Sequence, residues 1–368
     1  MKVEFMIYIY VAICISMIAF NCVYVFIIRH SEERLEKHSY EYDVIIREQL
    51  RCIDSGMEVS DEHKKYLCMK LKYTPNLTAF DKTMENLYAE NPEKALRYLS
   101  EIYSVFIYLT MEYFDRDTIK SAYFPYIVGK YNILKLKDSN VISEIMFKLL
   151  RSDNVYCREN ALGAIYSAGK SELAVRALKI IDSNGSFHHP KLVCDGLLSF
   201  EGNREELCEK LWSCFNEYSE KMQVNILNFF RFAGIRCDEE MCAVLNDEDK
   251  NQELRFAAIR YFEKFPCEKV RDALQNFAEN KAQRIWEYQA IASSALKSYP
   301  GDKTTEILKK NLSDSNWYVR LNSAISCEKL GFTYSDLIQV FDGDDRYARE
   351  MLRYRFDRRK AEKEVAQI

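Results

Sequence analysis

Six residues that close helices recur along the second half of the chain: Gly169, Gly202, Gly234, Pro266, Pro300 and Gly331, at spacings of 33, 32, 32, 34 and 31. A period near 32 limits the chain to architectures in which one small unit is stacked on copies of itself. Eight positions before the markers stand Ala161, Cys194, Ile226, Ala258, Ala292 and Ser323, small in all but one case; four positions before them stand Ile165, Leu198, Phe230, Phe262, Leu296 and Cys327. Residues four apart share one face of a helix, so small-then-large reads as a helix packed closely on its neighbours. With only 11 Gly and 6 Pro in 368 residues, the chain has too few turn residues for a sandwich or an open α/β sheet.

Eleven positions before the markers lies a long polar side chain every time: Arg158, Lys191, Gln223, Arg255, Gln289 and Arg320, often after an acid, as with Asp153, Asp249 and Asp314. The segments Ser152 to Leu162 and Ser313 to Arg320 resemble the D-x-x-x-x-V-R-x-x-A core of HEAT repeats in their short bacterial form, also found in bilin lyases. The resemblance covers about 150 to 345. It implies an all-α fold, an N-terminal transmembrane helix followed by a HEAT-like α-solenoid of antiparallel helix pairs, and it gives Arg158, Arg255 and Arg320 an inter-repeat structural role. On the second helices, positions nine and six before the markers hold Asn160, Asn225, Asn228, Arg260, Ser294 and Asn322. These read as a polar ridge opposite the packing face, the candidate partner surface.

From Phe5 to Ile28 the chain runs 24 residues without a charge. As a helix this run is roughly 36 Å long, enough for a hydrocarbon core of about 30 Å. Signal peptides have a basic start and a shorter apolar core, and Asn21 before Cys22 spoils a lipobox. Lys2 precedes the span, whereas Arg29, His30, Arg34 and Lys37 follow it. The positive-inside rule therefore puts the C-terminal bulk in the cytoplasm, as a single-pass protein of the cell membrane. The 12 Cys are scattered without CxxC pairs, as reduced thiols are. In a cytoplasmic domain the sequons at Asn76, Asn184 and Asn311 are ordinary residues.

The expected organisation is a tail and anchor over 1–28, a juxtamembrane helical linker over 29–75, a helical cap over 76–150, repeats over 151–345 and a basic C-terminal helix over 346–368. Ser31 to Ile53 reads as an amphipathic helix that pairs with itself or leans on the next helices. Gly56 stops it, Thr74-Pro75 breaks the helix after it, and the aromatic run from Phe80 to Tyr131 reads as two or three helices. The last segment carries eight basic against four acidic residues, among them Arg346, Arg349 and Arg353, interleaved with Met351, Leu352, Tyr354 and Phe356. It fits a solvated helix, or one that docks on an acidic partner or anionic lipid.

Ala164 to Ser171 matches a loose phosphate-loop pattern, yet it follows a helix where the mechanism needs a strand. His188-His189 lacks a cysteine pair or HExxH spacing, and Asp342-Gly343-Asp344-Asp345 lacks the other ligands of a calcium loop. No catalytic constellation, cofactor or metal is therefore expected. A net charge of −4 argues against nucleic acid, and no small-molecule substrate is indicated. The resemblance implies a scaffold that binds a membrane-associated protein complex, such as a membrane glycosyltransferase or polysaccharide-synthesis complex. The alternative it implies is a lyase- or glycosylase-type enzyme with a pocket in the concave surface.

Overall fold

The computed structural model describes residues 2–114, 118–137, 140–185, 188–279 and 285–365. Among these the regular elements are helices, 21 α-helices with three short 3-10 turns, and no strand. They pack as two units, residues 1–188 with 199–203, and residues 189–198 with 204–368. The units divide the chain within the expected repeats, and not near residue 150.

The first unit opens with α1 (Lys2–Asp54), α2 (Asp61–Leu71), α3 (Thr74–Glu90), α4 (Pro92–Glu101) and α5 (Tyr103–Phe114). It continues with α6 (Thr118–Lys130), α7 (Ile133–Leu136), α8 (Asn140–Leu149), α9 (Val155–Ser167) and α10 (Ser171–Ser183). The apolar run and the expected juxtamembrane helix form one uninterrupted helix, α1, whose apolar stretch is unburied among the described residues and is long and apolar enough to cross a membrane. Its second half leans on α3 and α4 and buries Tyr42, Ile46, Leu50 and Ile53. α1 and α3 run parallel: Ser39 meets Thr83 at 3.0 Å, and Arg47 bridges Asp43 at 2.8 Å and Glu90 at 2.9 Å. Thr74-Pro75 starts α3 cleanly, because proline in the first turn has no N–H to lose. The aromatic run spans four helices, the rest of α3 through α6, more than the sequence suggested.

α6 and α9 cross so closely that a Cβ on Gly129 would lie 3.1 Å from the backbone N of Ala164. At the first marker the turn after α9 brings two glycines together: a Cβ on Gly202 would fall 2.2 Å from the Gly169 carbonyl oxygen. Gly169 has φ +67°, so this marker is kept for its backbone, and the phosphate-loop look-alike is a helix–turn–helix.

The second unit comprises α11 (Pro190–Leu198), α12 (Arg204–Ser213), α13 (Glu220–Ala233), α14 (Asp238–Asn246), α15 (Gln252–Lys264) and α16 (Arg271–Glu279). After these come α17 (Trp286–Ala295), α18 (Asp302–Asn311), α19 (Trp317–Lys329), α20 (Ile338–Phe341) and α21 (Arg346–Val365). Here the period is visible as contact. α11 packs on α13, α13 on α15, α15 on α17, α17 on α19 and α19 on α21, while α12, α14, α16 and α18 each pack on the helix that follows. The residues eight before the markers are all buried, as are those four before, except half-buried Leu198.

α21 belongs to this series. Its Ala348, Leu352 and Phe356 are buried, and Arg355 joins Glu328 of α19 at 2.6 Å. The solvated-helix reading is thereby corrected in part: of the residues interleaved with the arginines, Leu352 and Phe356 are buried, whereas Tyr354 stays exposed.

Candidate functional site

A capping rule, not seen in the sequence, organises the starts of five second helices, though not of α17, whose N-cap is Ile285. Asn154, Ser219, Asn251 and Asn316 accept backbone N–H groups of the first turn of α9, α13, α15 and α19, and Asp345 does so for α21 at 2.9 and 3.1 Å. Such caps hold orphan donors and fix where the helix begins. Four residues after each cap stands the long polar side chain. Arg158 Nη1 donates to Ser152 O at 2.8 Å and Arg320 Nη1 to Asp314 O at 2.5 Å. Arg349 donates to Gly343 O, and Gln223 to Tyr218 O at 2.9 Å. Arg255 Nε reaches Leu245 O at 3.0 Å. Each side chain therefore ties its helix to the connection before it or, for Arg255, to the last turn of α14. Arg255 also lies over the rings of Phe277 and Tyr288, and Arg320 over Tyr347, which carries the tie into the following helices. Of the acids, Asp314 accepts from the Asn316 backbone N–H at 2.8 Å and from the Gln289 side-chain amide at 3.0 Å.

The residues of the expected polar ridge are in a different position from the one expected. None of Asn160, Asn225, Asn228, Arg260, Ser294 and Asn322 is exposed, and Asn225 is 7% accessible. Asn160 Nδ2 donates to Ala122 O on α6 at 2.7 Å, and Asn322 Nδ2 to Ala290 O on α17 at 2.8 Å. Ser294 donates to Glu263 at 3.2 Å, alongside Lys297. A side-chain amide inside a helix reads from periodicity as a wet face, but here it satisfies a carbonyl on the neighbouring helix. Within the ridge, burial and nearby Arg260 lower the pKa of Arg231, whose Nε is buried without a partner.

The exposed feature of the second unit lies at the beginnings of α17, α19 and α21. Trp286 stacks on Tyr318 with centroids 5.6 Å apart, and Trp317 meets Tyr318 edge-on at 5.0 Å. Trp317, Arg320, Leu321, Tyr347, Glu350, Met351 and Tyr354 line a groove of about 290 Å³. Trp317 is 50% accessible and Tyr347 67%, with Trp286, Tyr318 and Tyr354 also exposed. Sequence reasoning missed this patch; the signal was an aromatic one or two residues after a cap, as in Asn316-Trp317-Tyr318 and Asp345-Arg346-Tyr347. Of the basic C-terminal residues, Arg346 pairs with Glu350 at 2.6 Å, Arg349 is folded onto Gly343, and Arg353 is exposed beside the patch.

A second polar cluster lies in the first unit. Buried Asp81 accepts from Tyr131 Oη at 2.7 Å, Lys130 Nζ at 2.8 Å and Tyr123 Oη at 2.9 Å. Burial, and then Asp81 itself, raise the pKa of both phenols far above the usual tyrosine range. A carboxylate ligated this fully is a cross-tie between α3 and α6. Also buried is His63, whose Nε2 lies 2.7 Å from Tyr98 Oη; burial lowers its pKa to about 4. His188 pairs with Glu159, and among the described residues no group of three or more His, Cys, Asp or Glu could hold a metal. No family model matches the chain, and no curated protein matches it.

Proposed function

We propose that this chain is a membrane-tethered, HEAT-like adaptor. In this reading residues 5–28 span the cell membrane once, the helices after them lie in the cytoplasm as a solenoid, and the second unit binds a protein of the same membrane. A membrane glycosyltransferase or polysaccharide-synthesis complex is the partner class suggested by the sequence resemblance. The observation that carries the binding role is the exposed cluster of Trp286, Trp317, Tyr318, Tyr347 and Tyr354 around Arg320. Tryptophan, tyrosine and arginine dominate the energetics of protein interfaces, and a soluble surface seldom leaves so many rings together in water without use. Arg320 within the groove and exposed Arg353 on α21 favour a partner surface that mixes aliphatic and acidic side chains. The helix-on-helix series from α11 to α21 supports the repeat reading, and the unburied apolar stretch of α1 supports the anchor.

The test is co-purification from detergent-solubilised membranes with the full chain and with a Trp317→Ala, Tyr347→Ala double variant. Two central aromatics typically contribute enough that their loss weakens binding at least tenfold. A partner set unchanged by the double substitution would remove the patch from the proposal.

A further inference from the structure

The groove at the foot of the anchor has the ordering of a lipid. Between α1 and the start of α3, Phe26, Ile27, His30, Arg34, His38 and Pro75 line an open groove of about 680 Å³. Along α1 the lining passes from apolar Phe26 and Ile27 to His30 and Arg34, which touch each other at 3.0 Å, and then to His38. At 1.5 Å per residue Arg34 lies roughly 9 Å beyond the last residue of the apolar run, and the headgroup layer on each side of the hydrocarbon is about 5–8 Å deep. His30, roughly 3 Å beyond the run, therefore lies inside that layer whenever residues 5–28 span the bilayer, and Arg34 stands at its outer edge, from which its long side chain reaches back to the phosphates.

The opposite wall is formed by the N-terminal turn of α3, a 17-residue helix parallel to α1, whose N-cap Tyr73 makes no side-chain capping bond. Pro75 has no N–H, and Asn76 and Leu77 donate theirs to Tyr73 O, so this end offers the layer the Thr74 N–H and the helix's partial positive charge. The nearby acids are accounted for in part by internal pairs: Glu36 with Lys82, and Glu41 with His38 at 3.2 Å. Tyr73 is exposed just outside the groove, with Lys72 over its ring, the amphipathic aromatic and cation usual at a membrane surface.

We propose that this groove binds the headgroup of an anionic phospholipid from the leaflet next to the helical units. Arg34 and the α3 N-terminus would hold the phosphate, and Phe26 and Ile27 would lie along the start of an acyl chain. The inference rests on the spanning reading of residues 5–28. A bound lipid there would fix the angle at which α3, and the helices packed on it, leave the membrane.

The test is native mass spectrometry of the full chain in detergent supplied with phosphatidylglycerol and phosphatidylcholine of matched chains. The expected result is phosphatidylglycerol retained about fivefold or more over phosphatidylcholine, a ratio that falls to near parity in Arg34→Gln and persists in Arg29→Gln, which lies outside the groove. Equal retention of the two lipids, or equal loss of preference in both variants, would overturn the proposal. Displacement of the lipid by millimolar glycerol phosphate would also overturn it, because the site would then be one for free phosphate. A carbonate wash of membranes tests the anchor separately. Release of the wild-type chain would refute both the span and the groove, whereas retention without lipid preference would refute the groove alone.

Discussion

The α1–α6 region and the series from α11 to α21 solve the same packing problem differently. Between α3 and α6 the ties converge on single groups: Asp81 alone takes two phenols and an ammonium from residues 42 to 50 positions away. Along α13 to α21 the ties are spread out and aimed at backbone carbonyls about 32 residues back. Lys264 donates to Arg231 O, Asn322 to Ala290 O, Ser326 to Ser293 O and Ser298 to Glu263 O. A carbonyl is present at every position of a helix, so such struts can be repeated without matching side chains. A buried carboxylate needs its own set of partners. Loss of one group should therefore cost much in the first region and little in the second.

The largest expected effect is at Asp81. Asp81→Ala leaves half-buried Lys130 with Glu85 alone and takes the carboxylate from Tyr123 and Tyr131, the latter keeping only the residue-81 carbonyl; losing an acceptor shared by three donors costs about 3–4 kcal/mol. Chemical unfolding of the full chain in detergent should show that loss, and a loss below about 1 kcal/mol would end the contrast drawn here. Next is acid sensitivity through His63. Its pKa falls from 6.5 unfolded to about 4 folded, so between those values the unfolded chain binds the extra proton. The stability conferred by neutral His63 is complete above pH 6.5 and is lost as pH falls toward 4, the loss there reaching on the order of 3 kcal/mol. Unfolding free energy followed from pH 7 to 4.5 should fall more steeply in wild type than in His63→Gln; parallel curves would refute this. The smallest effect is at Asn322. Asn322→Ala removes one strut to Ala290 O and should cost about 1 kcal/mol, more than the near-zero cost of the open polar ridge that the sequence suggested. A melting temperature unchanged within error would restore the ridge.

How legible each region was follows from the same difference. Helix-closing markers and the small residues before them are periodic, so Ala161, Ala258 and Ser323 could be placed in tight contacts from spacing alone. The apolar run before Arg29 was legible because hydropathy is a local property. The start of α21 repeats the Asn316/Arg320 spacing as Asp345/Arg349, yet no Gly or Pro marker follows 11 residues later, and its net charge suggested a solvated helix. The strut role of Asn160 and Asn322 was hidden because periodicity gives the face of a polar residue and not the carbonyl opposite it. Asp81, Tyr123 and Tyr131 share no period at all, and only the packing of α3 on α6 brings them together. The aromatic patch lay in view, but nothing in the spacing gathers Trp286, Trp317, Tyr318 and Tyr347 on one surface; the packing of α17, α19 and α21 does that.

The central claim is that α11 to α21 form a series in which each second helix rests on the one before. Ala258 on α15 is fully buried, where a leucine overpacks the contact at a cost of about 1–3 kcal/mol. Hydrogen exchange of Ala258→Leu against wild type tests the claim most directly. In such a series the damage stays with immediate neighbours, so exchange should quicken over residues 220 to 300 and remain unchanged over 80 to 114. A uniform loss of protection from Phe80 to Tyr354 would contradict it and indicate one cooperative globule.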